Sequence, residues 1–198
     1  MMVKRNIWVL VVLMTALLVL NGCGALAAMV VNPGKDKMSD YNISADNQSL
    51  LQMYAEKGYR VNIGKFTDAS KSNETVKCRL MTSVHPPKDE TYAKYIELAF
   101  QKEFAEAKLY DTRSKIILSA TIDEIKGGTV YGDAYWSFVL TLASSNGKSY
   151  RLTSTYEYAS SVTAAYACSD MYRTFPLAVQ KLIRDALKDP GFSGLLQH

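Results

Sequence analysis

Side chains able to do covalent or acid–base chemistry are few in this 198-residue chain: three cysteines, two histidines and scattered carboxylates. His85 precedes Pro86-Pro87 in a segment that reads as a loop, and His198 is terminal. Cys23, Cys78 and Cys168 have no cysteine or histidine at metal-ligand spacing, so no metal and no cofactor is expected. Paired carboxylates about a glycosidic bond are another hydrolytic device, with Asp123-Glu124, Asp133 and Glu157 as candidates. Successive strand residues point to opposite faces, so Asp123 and Glu124 read as solvated strand-edge charges. Gly127-Gly128 reads as a turn rather than a phosphate loop. The sequence therefore assigns no catalytic residue and the expectation is a non-enzyme. Aromatic residues offer more. Tyr131, Tyr135, Tyr150, Tyr156 and Tyr158 fall on strand-like segments, and tyrosine suits both sheets and half-wet interfaces. Sheet packing is the plainer reading of these residues. A binding surface built from Tyr135, Tyr150, Tyr156 and Tyr158 is the functional one.

The first thirty residues have the grammar of an export signal. Lys4 and Arg5 precede an uncharged apolar run over residues 7–20, and small residues follow at Gly22, Cys23, Gly24 and Ala25. A charged start, a short apolar core and a small-residue exit describe a secretory signal peptide. A permanent span needs about 20 apolar residues, more than this run supplies. Leu20-Asn21-Gly22-Cys23 resembles the lipobox of bacterial lipoproteins. The resemblance implies cleavage after residue 22, acylation of the Cys23 thiol and anchoring in a membrane. Gly24 in place of an aspartate favours the outer membrane, with the domain facing the periplasm. Ala25-Leu26-Ala27 is a competing site, and cleavage after Ala27 would release a soluble periplasmic protein.

If Cys23 carries lipid, Cys78 and Cys168 remain as an even pair in an oxidising compartment, where disulfides persist. A bridge is the favoured reading, and two separate buried thiols are the rival. The formal charge is +4, of which Lys4 and Arg5 supply two, leaving +2 after residue 22. The nearest approach to a basic stripe, Lys57 to Arg79, is interrupted by Glu56, Asp68 and Glu74. Nucleic-acid binding calls for a concentrated basic face, so no nucleic-acid partner is expected.

Three regions follow: a signal at 1–22, a lipidated cysteine and flexible tether at 23–49, and one globular domain at 50–198. Asn32-Pro33-Gly34 and the polar residues after it have linker composition. Leu50, Leu51 and Tyr54 suggest a short helix. Val61 and Ile63 open a first strand, and alternating Val76, Cys78 and Leu80 a second. Asp89 is placed to cap a helix over about 90–108, whose Tyr92, Ile96, Ala99, Phe100 and Phe104 recur at helical spacing. Strands are expected over 116–125, 135–143 and 149–160, the last two joined by Asn146-Gly147 in a hairpin turn with both residues left-handed. A final helix carries Cys168, Met171, Phe175, Val179, Leu182, Ile183 and Ala186 on one face, with Pro176 either kinking it or marking its start. The order β-β-α-β-β-β-α predicts a two-layer α+β sandwich, two amphipathic helices on a mainly antiparallel sheet of four to five strands. Trp136, Phe138, Leu140 and Leu142 make one face of a strand apolar, while Tyr135, Val139 and Ala143 make its other face partly so. A cover over that second face is expected: the tether, a second copy or a partner.

Signal, lipobox, tether and this element order together resemble small α+β lipoproteins of the bacterial envelope, among them the lipopolysaccharide-assembly lipoprotein. Residues 61–70 with Cys78 and Cys168 also resemble uncharacterised proteobacterial lipoproteins with a paired-cysteine domain. The resemblance implies a structural or assembly component working with an envelope protein. The alternative is a module binding glycan, lipopolysaccharide or lipid on the tyrosine-rich sheet. Replacing Cys23 by Ser is expected to move the protein from the membrane fraction to the soluble fraction. A Cys23→Ser protein that still floats with membranes in a density gradient contradicts the acyl anchor.

Overall fold

A computed structural model describes residues 38–69, 75–80, 82–129 and 134–197. Cys23 and the signal lie outside the described residues. The elements are helix α1 (Ala45–Glu56), strands β1 (Asn62–Asp68), β2 (Val76–Cys78) and β3 (Thr82–Val84), helix α2 (Tyr92–Glu106), strands β4 (Ile117–Gly128), β5 (Ala134–Ser144) and β6 (Ser149–Tyr158), helix α3 (Ala164–Lys188) and a last turn α4 (Phe192–Leu195). The main sheet has the order β1-β4-β5-β6, and β2 and β3 form a separate two-stranded ribbon. β1 runs parallel to β4, and the other neighbours are antiparallel. The fold is the expected two-layer α+β sandwich, with a mixed sheet and the second strand outside it.

Alternation decides which face is inside. Along β5, Trp136, Phe138, Leu140 and Leu142 are buried, while Tyr135, Ser137, Val139, Thr141 and Ala143 are half-exposed. Helices α2 and α3 cover the first set. Phe175 of α3 sits at the centre, its ring 4.9 Å from Trp136, 5.0 Å from Tyr95 and 5.4 Å from Tyr92. The Trp136 indole N–H donates to the Met171 carbonyl at 3.2 Å, so its polar edge is satisfied inside the core. Pro176 neither breaks α3 nor starts it; it is buried within a helix that begins at Ala164. Among the described residues no element buries the second face of β5, whose outward residues are all half-exposed.

Three local readings change for physical reasons. Thr91, not Asp89, caps α2, its hydroxyl accepting from Lys94 N at 3.1 Å. Only Gly147, with φ of 86°, is left-handed in the β5–β6 turn, which spans more than two residues. β4 carries a bulge between Ile122 and Glu124. One extra residue shifts the phase of alternation, so Asp123 and Glu124 are both half-exposed and Ile125 returns to the core.

The domain also reaches further back than linker composition suggests. Met38 and Tyr41 are buried, and α1 begins within the stretch assigned to the tether. The cause is Glu103, a fully buried carboxylate on the apolar stripe of α2. It accepts from the Tyr41 hydroxyl, from Ser44 N at 2.9 Å, from Asn47 Nδ2 at 3.1 Å and from Gln48 Nε2. Burying a carboxylate is costly unless hydrogen bonds fill its oxygens, and residues 41–48 supply them. Tyr95 Oη to Ser39 O and Gln180 Nε2 to Asn42 O fix the same segment from two helices. Glu103→Ala leaves several buried donors without an acceptor, at a cost of about 1–3 kcal/mol for each. We expect a stability loss of roughly 3 kcal/mol or more in urea unfolding. A loss within about 0.5 kcal/mol, the range of an ordinary surface change, contradicts this account.

Candidate functional site

The hairpin register determines where the four singled-out tyrosines go. Tyr135 pairs with Glu157, Trp136 with Tyr156, Leu142 with Tyr150 and Ala134 with Tyr158. Cross-strand partners share a face. Tyr150, Tyr156 and Tyr158 therefore lie on the helix-covered side, and Tyr135 lies on the open one. They do not make a single surface, because odd and even positions of the two strands were combined across a register that separates them. Tyr150 donates to Ala186 O at 2.7 Å and Tyr158 to Gly128 O at 3.3 Å. Burial raises both phenols above the ordinary tyrosine range, with the Asp189 charge adding to the effect at Tyr150. They are held neutral and act as packing groups with a tethered tip.

Tyr135 and Tyr158 nonetheless meet at the end of the sheet. A cleft of about 600 Å³ is lined there by Ala134, Tyr135, Ser137, Thr155, Glu157, Tyr158 and Ala159. One aromatic face, an exposed carboxylate and two short hydroxyl side chains can hydrogen-bond and stack on a polar ligand. The hydroxyls continue beyond the cleft on the same face: Ser119 and Thr121 on β4, Thr141 on β5 and Thr153 on β6. Asp123 reaches across it, accepting from the Thr141 hydroxyl at 2.7 Å and pairing with Arg151 at 3.1 Å. Glu124 pairs instead with Lys126 at 2.7 Å. Both carboxylates are thus neutralised locally.

Cys78 and Cys168 form a disulfide with Cα atoms 5.6 Å apart and a sequence separation of 90. It fastens the β2–β3 ribbon to the start of α3. Arg79 continues the fastening: its N–H donates to Thr129 Oγ1 at 3.1 Å, and its guanidinium donates to the carbonyls of Ser161 and Val162 at 3.2 and 3.4 Å. Leu80 does not extend the strand. It sits in the ribbon turn with φ of 61° and its side chain in solvent. Sequence patterning missed this, since alternation from Val76 and Cys78 carries on through Leu80. It missed Glu103 too, although a carboxylate between Ala99, Phe100 and Phe104 on an apolar stripe was the available signal.

Among the described residues no group of three or more His, Cys, Asp or Glu side chains converges as a metal site, and no helix is long and apolar enough to cross a membrane. No protein-family model matches the chain, and no curated protein matches it. The fold is similar to that of a solved Xanthomonas campestris protein assigned to the family model DUF330. That likeness has a TM-score of 0.49 at 12% identity and covers 69% of this chain and 85% of the other.

Closing a loop of this length by a disulfide contributes about 4–5 kcal/mol through chain entropy. The double change Cys78→Ser and Cys168→Ser is expected to lower unfolding free energy by that order, and reductant should lower the wild type equally. Unchanged urea midpoints in both experiments contradict a formed bridge.

Proposed function

We propose that this chain is a lipoprotein of the bacterial envelope, held by acylated Cys23 in the outer membrane, whose domain is a non-catalytic structural or assembly component. The Cys78–Cys168 disulfide supports an oxidising address, since such bridges are rare where glutathione keeps thiols reduced. The observation that carries the structural role is the outer face of β4, β5 and β6. A four-stranded sheet whose outward β5 residues are half-exposed, with Val139 near its centre, offers a docking area. Local pairing of Asp123 with Arg151 and Glu124 with Lys126 leaves that area with little net charge to repel a partner. An envelope protein is the partner proposed for it.

A second reading follows from the cleft at the sheet end. Tyr135, Ser137, Thr155 and Glu157 suit a glycan or the sugar portion of lipopolysaccharide, where a ring stacks and hydroxyls exchange hydrogen bonds. The two readings part experimentally. Photocrosslinking residues introduced in living cells at Thr141 or Thr153 are expected to capture one envelope protein. The same residue at Glu56, on α1, is expected not to. Val139→Glu should reduce capture several-fold without moving the thermal midpoint. Equal capture from both sides, or none, sinks the docking reading; loss of glycan retention in Tyr135→Ala then favours the cleft.

A further inference from the structure

Four features gather at one end of the domain. β2 runs beside the last residues of β4, with Val76 against Gly127 and Arg79 N on Thr129. The β6–α3 connection arrives there through the Arg79 guanidinium, which holds the carbonyls of Ser161 and Val162. The disulfide pins the same ribbon to α3. Residues 39 and 40 lie there too: Ser39 O accepts from Tyr95 in the first turn of α2, and Asp40 pairs with Lys88 at 3.6 Å. The ribbon and this segment therefore flank the same helix start, since the Tyr92 hydroxyl donates to Val84 O.

Leu80 is 88% exposed and Val162 70%, the two most exposed large apolar side chains among the described residues, and the Arg79 guanidinium links the segments that carry them; Tyr166, 47% exposed, follows Val162 at the start of α3. Scattered exposed apolar residues are ordinary, but a fixed group of them marks an interaction site. This group is fixed: a disulfide and three hydrogen bonds from Arg79 hold the two loops that carry it. Arg79 and Leu80 are consecutive non-glycine residues with φ of 49° and 61°. A left-handed leucine is unfavourable, and the turn keeps it with its side chain directed into water. Lys77 is exposed on the same ribbon, and the Arg79 guanidinium lies between that ribbon and the Ser161 and Val162 carbonyls. Exposed apolar side chains next to cations suit a bilayer surface, which runs from hydrocarbon to an interfacial zone to anionic headgroups.

We propose that this end of the domain rests on the membrane, with Leu80 and Val162 inserted among the lipids, Tyr166 at headgroup depth and Lys77 and Arg79 against anionic headgroups. The proposal deepens the envelope-lipoprotein reading and rests on it for the presence of a bilayer. It adds an orientation: the tethered domain lies down on the surface instead of swinging free, and the open sheet face is presented sideways to a partner.

The test uses the exported protein, purified from membranes and reconstituted into vesicles of phosphatidylethanolamine and phosphatidylglycerol with brominated acyl chains. Tryptophan is introduced as Leu80→Trp and, as a remote control, as Met53→Trp on exposed α1. Trp136, fully buried, gives a constant background that the wild type subtracts. Quenching of Trp at position 80 at least twofold above that at position 53, with a blue-shifted emission, is the expected result. Equal quenching overturns the proposal, whether water or a protein covers the tip. Should Leu80→Trp fail to fold, Val162→Trp is read in the same way. Leu80→Asn relieves the left-handed leucine, so its thermal midpoint should hold or rise. Mass analysis of the N-terminal peptide separates the two claims: an unacylated Cys23 defeats the anchor, and the released protein added to the same vesicles still decides the orientation by the same quenching comparison.

Discussion

The packing of Phe175 against the inner face of β5 is the contact on which the other elements depend. Its ring touches Trp136, Phe138, Tyr92 and Tyr95, which belong to the central strand and to α2. Aromatic rings bury large areas and gain a further 0.5–1.5 kcal/mol or so per well-placed pair. Phe175 therefore joins both helices to the sheet at one point. Its position on α3 also places Met171 one turn earlier, where its carbonyl receives the Trp136 indole N–H. The part of α3 that precedes this contact carries Cys168, which the disulfide joins to the ribbon.

A second, polar constraint acts at the other side of α2. Glu103 is buried with neutral donors around it, and those donors come from residues 41–48. Apolar packing alone would have given α2 another leucine there and left the N-terminal segment loose. The carboxylate makes the segment obligatory, because only a covering strap with its hydroxyl, amide and backbone N–H groups satisfies it. The segment just before the strap is held in turn on α2, where Ser39 O accepts from the Tyr95 hydroxyl.

Much of the architecture was legible because it rests on periodicity. Alternation at Trp136, Phe138, Leu140 and Leu142 identifies the inner face of β5, and the helical spacing around Phe100 and Phe175 identifies the two covering helices. Features that depend on register or on a single inserted residue were not legible. The bulge at Asp123 reverses the facing of Glu124, and nothing in the local composition announces it. Pairing of Tyr135 with Glu157 rather than with another tyrosine divides the aromatic cluster between two faces. The ribbon left the main sheet because Arg79 and Leu80 turn sharply after three strand residues, which alternation cannot reveal. The cysteine pair was readable by counting, whereas the loops that it fastens together were not.

The bridge also has a consequence in time. Its two sulfurs are separated by 90 positions, and Cys168 is the last of the pair to be synthesised. Until α3 has emerged and met an oxidant, the domain lacks roughly 4–5 kcal/mol of loop-closure stabilisation. Single domains are stable by only about 5–15 kcal/mol in all. The reduced chain is thus short of a sizeable share of the finished domain's stability. Folding is completed only when the last helix has been made and oxidation has fastened the ribbon to it.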